Sequence, residues 1–137
     1  MKEERIRTVA VEPFRKPYIK MLDNTLKALQ EAVGGLIDFV PLDGFAYALI
    51  NDEGKLLELP PNRIIATEDG KILDYFAGTF YITGPADEEG ENTSLTVEQA
   101  NYYIDMFDSP VLIGRDRYAE IENMWDCQRS SSHIFIK

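Results

Sequence analysis

Cysteine and histidine are all but missing from this chain of 137 residues, which holds one of each, Cys127 and His133. A lone cysteine excludes an internal disulfide and fits a reducing compartment. One Cys and one His cannot alone supply the about four nitrogen or sulfur ligands of a structural zinc. Their Cys-x5-His spacing, with no helix or strand to organise it, is weak ground for a thiol nucleophile. There is no Gly-rich phosphate loop ending in Lys-Ser or Lys-Thr, and no dinucleotide-binding GxGxxG. The run Asp87-Glu88-Glu89-Gly90-Glu91 puts its glycine too early for a calcium loop. No metal and no cofactor is therefore expected. Long apolar runs are absent as well: none approaches the ~20 residues of a membrane-spanning helix. The N-terminus, MKEERIRTV, is charged and has no apolar signal-peptide core. These absences predict a cytoplasmic protein with no membrane partner.

Positive charge is the next shortage. Lys plus Arg number 14 against 24 Asp plus Glu, a formal net charge of −10. From Ile72 to Gly114 there is no Lys or Arg, while Asp74, Asp87, Glu88, Glu89, Glu91, Glu98, Asp105 and Asp108 accumulate. Such a field repels phosphate backbones, so direct nucleic-acid binding is disfavoured, although Lys2, Arg5, Arg7, Arg15, Lys16 and Lys20 make the first twenty residues locally basic. The plain reading is a solvated face that keeps the protein soluble. The functional reading is a surface for a basic protein partner, with Asp87, Glu88, Glu89, Glu91, Glu98 and Asp105 as its candidate residues. A DNA mimic would be one form of it.

The remaining patterns predict an α+β fold: a small, mainly antiparallel sheet with two main helices, at about 24–34 and 97–107. Ile6 to Glu12 alternates as a strand, Pro13 ends it, and Pro17 to Leu22 is a second strand. Asn24 is the expected N-cap of the first helix, Leu26, Leu29 and Val33 its apolar stripe, and Gly34 its left-handed terminator. Leu36 to Val40, Phe45 to Ile50 and the stretch around Leu56, Leu57 and Leu59 read as a β-meander, stopped by Pro60-Pro61. The stretch from Pro61 to Thr67 could be a helical turn or an irregular link. Glu68 to Lys71 signals a turn, Ile72 to Phe76 lies beyond it, and Gly78 to Thr83 is a strand. Thr96-x-x-Gln99 forms a capping box with Leu95 stapling to Ala100, and Val97, Ala100, Ile104 and Phe107 face inward until Ser109-Pro110 ends the helix. One domain over 1–114 is expected, followed by a tail, 115–137, in which Tyr118, Ile121 and Trp125 suit a short amphipathic helix. Trp125 could pack on the core or anchor a partner.

One polar constellation remains. Asn51 ends a strand, and Asn62 and Arg63 follow the stiff Pro60-Pro61 pair, an amide and a guanidinium suited to a carboxylate or phosphate. A small anionic-ligand site, or a modest enzyme, would need all three side chains to converge. The plainer reading is that Asn51 and Asn62 cap turns while Arg63 pairs with an acid such as Glu58.

The segments EPFRKP, TLKALQEAVGGLIDFVPL, NDEGKL, LPPNR, GTFYITG and SLTVEQ, in this order over residues 6 to 110, resemble a family catalogued as a domain of unknown function. That family is found in phages and in conjugative or integrative elements of Gram-positive and gut bacteria. The resemblance implies an accessory protein of mobile DNA that contacts host or element proteins to modulate defence, transfer or replication. It implies no reaction, and it does not extend to the tail beyond Gly114.

Overall fold

The computed structural model describes residues 3–43, 45–66 and 72–108, and the backbone of 134–135. The elements are β1 (Arg5–Val11), β2 (Tyr18–Asp23), α1 (Leu26–Val33), β3 (Ile37–Asp43), β4 (Ala46–Asn51), β5 (Pro61–Ala66), β6 (Ile72–Ala77), β7 (Phe80–Thr83), α2 (Val97–Met106) and β8 (Ile134–Phe135). It is the α+β arrangement expected, with a five-stranded antiparallel sheet in the order β2-β1-β7-β4-β3. A smaller sheet holds the β5–β6 hairpin, with β8 parallel to β5. The expected turn at Glu68–Lys71 and everything proposed for 109–133, including Trp125, Cys127 and His133, lie outside the described residues.

The two-residue period of the strands separates two cores. In one register row Val9 pairs with Ile82 and Ile82 with Ala48; in the next Ala10 pairs with Tyr81 and Tyr81 with Leu49. Val9, Val11, Phe80, Ile82 and Ala48 share one core with Ala100, Tyr103 and Phe107 of α2 and Phe76 of β6. Ile6, Ala10, Leu49 and Tyr81 share the other with Leu29 and Val33 of α1. The sheet is thus covered by α1 on one face and by α2 with the β5–β6 hairpin on the other, so strands buried on both faces lose the polar-out alternation of a one-sided sheet. β7 shows this fully, all four of its residues being buried.

Four successive antiparallel pairings leave β2 and β3 running the same way at opposite edges. The chain between them is α1, which bridges across the three inner strands. Its N-cap is Thr25, whose Oγ1 accepts the Ala28 N–H at 3.1 Å, and not Asn24 as expected. Asn24 is buried instead, its amide donating to the carbonyls of Glu3 (2.9 Å) and Asn92 (3.3 Å), which ties the N-terminus to the loop before α2. Gly34 ends α1 in the left-handed region at φ 82°, as its sequence position predicts.

Three expectations fail for tertiary reasons. Leu56, Leu57 and Leu59 form no strand: β4 is flanked by β3 and β7, and Leu56 stands 78% exposed in a turn. Pro61 does not stop a ladder but opens β5, paired with Ala77, the first-residue position where a missing N–H is tolerated. The helix stripes are also rotated from their simplest registers. Leu26 (64%) and Val97 (50%) are exposed, while Tyr103, not assigned inward, is buried against the sheet. The capping box at Thr96 and Gln99 forms as expected, with bonds of 3.0 and 2.9 Å.

Candidate functional site

Asn62 and Arg63 are adjacent on β5, Asn62 falling within the register shift between Pro61 and Arg63, and their polar ends meet. Both are buried. The Arg63 Nη1 donates to Asn62 Oδ1 at 2.7 Å, while the Asn62 Nδ2 donates to the carbonyls of Val11 and Gly78, each at 2.9 Å. Arg63 Nε and Nη2 both donate to the Phe107 carbonyl, at 3.1 and 2.9 Å, and Nη2 also reaches the Arg15 carbonyl at 2.7 Å. Phe107 is the C-cap of α2, a helix with no basic residue in its last turn. Arg63 therefore supplies, from a different sheet, the cation and donors that the negative end of α2 lacks. Burial holds its pKa down at about 10, with Asp108 opposing the shift. Where the plainer reading expects an acid such as Glu58, the guanidinium donates to two backbone carbonyls and the Asn62 amide oxygen.

Asn51 does the corresponding job for α1. Its Nδ2 donates to the Val33 carbonyl at 3.1 Å and its Oδ1 accepts the Glu53 N–H at 2.8 Å. It shares no hydrogen-bond partner with Asn62 or Arg63, so the three side chains do not converge. Asn51 lines a cleft of about 380 Å³ between the end of β4, the turn after it and β6, and neither Asn62 nor Arg63 borders that cleft. Both helices thus end on a buried polar side chain sent from a strand. Turn-capping, read from sequence as the plainer use of the asparagines, holds for Asn51, whose Oδ1 caps the turn at Glu53 while its Nδ2 serves the end of α1; Asn62 instead ties β5 to the carbonyls of Val11 and Gly78.

The six acidic candidates divide into two groups. Asp87 organises its own loop, Oδ1 accepting the N–H groups of Glu89 and Glu91 at 2.9 Å each. That loop exposes Glu88 and Glu89, and leaves Glu91 half-buried. Its stem is pinned: Gly84 donates to the Thr93 carbonyl, Leu95 to the Arg7 carbonyl, and Ser94 bonds Glu3 through both N and Oγ. Glu98 and Asp105 stand two turns apart on the outer face of α2, together with exposed Asn101 and Tyr102, the ring 57% exposed. Tyr102 was not singled out from sequence. Its signal is its spacing, three and four residues from Asp105 and Glu98, once the capping box sets the helix register. Among the described residues, no group of three or more His, Cys, Asp or Glu is arranged to hold a metal ion, and no helix is long and apolar enough to cross a membrane.

A second polar group lies on the α1 side of the sheet, where the Tyr18 hydroxyl donates to Glu12 Oε2 at 2.9 Å beside buried Tyr81. Burial, and then the Glu12 carboxylate, push the pKa of both phenols above the ordinary 10.0. An acid whose folded pKa is raised leaves stability untouched below its unfolded pKa and lowers it as pH rises through the folded value. Arg63 acts in the opposite sense: above about pH 10, and below the ordinary guanidinium value, the unfolded chain keeps a proton that the folded one releases. Tyrosinate absorbance isolates the phenols from that opposing trend. Of the seven tyrosines, a late-titrating component is expected above pH 10, reduced by Tyr18→Phe and again by Tyr81→Phe. Glu12→Gln should bring both only part of the way back, because burial is the larger cause; a complete return would contradict the ordering of causes.

No curated protein and no solved structure shows significant similarity to the chain. A family model does: its match runs over residues 6–108, from β1 through the end of α2, and so takes in the five-stranded sheet, both helices and the Asn62–Arg63 staple. The chain belongs to the family described as domain of unknown function (DUF3846).

Proposed function

We propose that this chain is a non-enzymatic acidic accessory protein of a mobile genetic element, binding a basic protein partner through the outer face of α2 and the 87–91 loop. The observation that carries the reading is the exposure of Glu88, Glu89, Glu98 and Asp105 in a stretch, Ile72 to Gly114, without a single Lys or Arg. Those four carboxylates make no ion pair among the described residues, whereas Asp108, at the end of the same helix, is neutralised by Lys16 at 3.8 Å. Unpaired carboxylates steer a basic partner and accelerate encounter. Tyr102, between Glu98 and Asp105 on α2, offers a rigid amphipathic ring of the sort that anchors interfaces. The specific form proposed is imitation of DNA, with carboxylates standing in for phosphates in the basic groove of a host defence or transfer protein. The likeness of the chain's motifs to accessory proteins of mobile DNA supports that setting.

The test is co-purification from the organism that encodes the chain, comparing it with the fourfold variant E88K/E89K/E98K/D105K at roughly 0.05 and 0.5 M salt, Debye lengths of about 14 and 4 Å. A basic protein should be retained by the parent chain at low salt, released at high salt, and lost by the variant with at least tenfold weaker binding. Duplex DNA should compete for it. A partner that survives high salt, or that the variant retains, would overturn the reading; a partner indifferent to DNA would remove the mimicry.

A further inference from the structure

The cleft beside Asn51 is lined by no residue of α2 or of the 87–91 loop, and its chemistry is different. One wall is the turn after β4, carrying Asp52, Glu53 and Lys55; facing it are Asp38 of β3 and Tyr75 of β6. The floor is apolar, with Ile50 and buried Phe76. Asp52 and Glu53 make no side-chain hydrogen bond or ion pair among the described residues, and Asp38 uses one oxygen, at 2.9 Å, on the next residue's N–H. The Lys55 ammonium sits 4.5 Å from the centroid of the Tyr75 ring. The cleft therefore already shows which charge its aromatic wall accepts, since a ring face attracts a cation through its quadrupole. Three carboxylates around the rim set the same preference and oppose an anion. The floor suits a methylene stem, which long cationic side chains lay on apolar surface while the head stays among polar groups.

We infer that this cleft binds a primary ammonium on a short alkyl stem, the Lys55 head group occupying the Tyr75 face until the ligand displaces it. The ligand's ammonium takes the ring and the carboxylates of Asp52 and Glu53, and its stem covers Ile50 and Phe76. The shared chemistry fits either a free aliphatic diamine or the lysine side chain of another protein. It does not depend on the α2 face, so each can fail without the other.

The experiment is amide NMR of the full, isotope-labelled chain at low salt, titrated with cadaverine, with Nα-acetyl-lysine N-methylamide, and with the uncharged Nα-acetyl-norleucine N-methylamide. The two ammonium probes should give saturable shifts confined to Asp38, Asp52 to Leu56 and Tyr75 to Ala77, with affinity on the order of millimolar for ligands this small. A diamine tighter by tenfold or more points to a free amine, and equal or tighter capped lysine points to a protein side chain. Asp52→Asn with Glu53→Gln should weaken binding about tenfold. Lys55→Met should strengthen it about threefold by freeing the ring, whereas Lys27→Met, on α1 across the sheet, should leave it unchanged. No saturable shift at these residues, equal binding of the norleucine probe, or a Lys55→Met variant that binds no better than the parent would overturn the assignment.

Discussion

Replacing Arg63 with methionine is expected to lower stability by about 3 kcal/mol in urea denaturation, without a change in the denaturant slope. Three acceptors lose their donor: the Phe107 carbonyl at the end of α2, the Arg15 carbonyl and Asn62 Oδ1. A buried orphan costs about 1–3 kcal/mol, and the part-buried Arg15 carbonyl less, roughly 3–7 in all. Against this stands the relief of no longer burying a charge. The depression of the Arg63 pKa to about 10 puts that relief on the order of 3 kcal/mol, at about 1.4 kcal/mol per unit. The orphaned carbonyls win. Arg63→Lys should be no milder than Arg63→Met, because an ammonium keeps the desolvation cost while losing the planar fork that serves separate carbonyls at once. A loss below about 1 kcal/mol for Arg63→Met would show that α2 does not rely on this staple for its C-terminal end.

Phe80→Ala should be comparably severe, at about 3–5 kcal/mol. Phe80 is buried on β7, the middle strand of the sheet, and meets the rings of Phe76 at 4.8 Å and Phe107 at 5.5 Å, both edge to face. One side chain thus joins the central strand, the second hairpin and the end of α2. Phe80→Leu, which keeps most of the apolar volume, should lose about 1–2 kcal/mol. Arg63 and Phe80 both act on Phe107, one through its carbonyl and the other through its ring, so their double variant should depart from additivity by about 0.5 kcal/mol or more. Additive losses would mean that the end of α2 is held by two independent contacts.

Much of this architecture was legible where the governing contacts are close in the chain. The Thr96–Gln99 capping box, the left-handed Gly34, the β1–β2 hairpin and the β7 strand all follow from residues a few positions apart. The failures also share a cause. Asn24 was a good N-cap by type, but burial against Glu3 and Asn92 gave its amide other work, and Thr25, one residue later, took the cap. Leu56, Leu57 and Leu59 look like a returning strand, but β7, some thirty residues downstream, claims the free edge of β4. Asn51, Asn62 and Arg63 read from sequence either as a convergent anion site or as turn caps beside an acid-paired arginine. Asn51 does cap its own turn at Glu53, but the carbonyls that take the rest, Val33 and Phe107 at helix ends and Val11, Arg15 and Gly78 elsewhere, follow from no spacing pattern.

By itself the sequence determined the α+β class, the places where both helices begin or end, the family, and a charge imbalance that leaves 72–114 without a cation. Each of these depends on composition or on hydrogen bonds spanning a turn or two, which side-chain type largely dictates. Only the tertiary structure decided that β7 lies between β1 and β4, that Arg63 closes α2 across 44 residues of chain, and that Lys55 rests on Tyr75 at the mouth of a cleft. Those choices come from competition among distant segments for the same apolar surface and the same orphaned backbone groups, and the winner is known only when all of them are packed together.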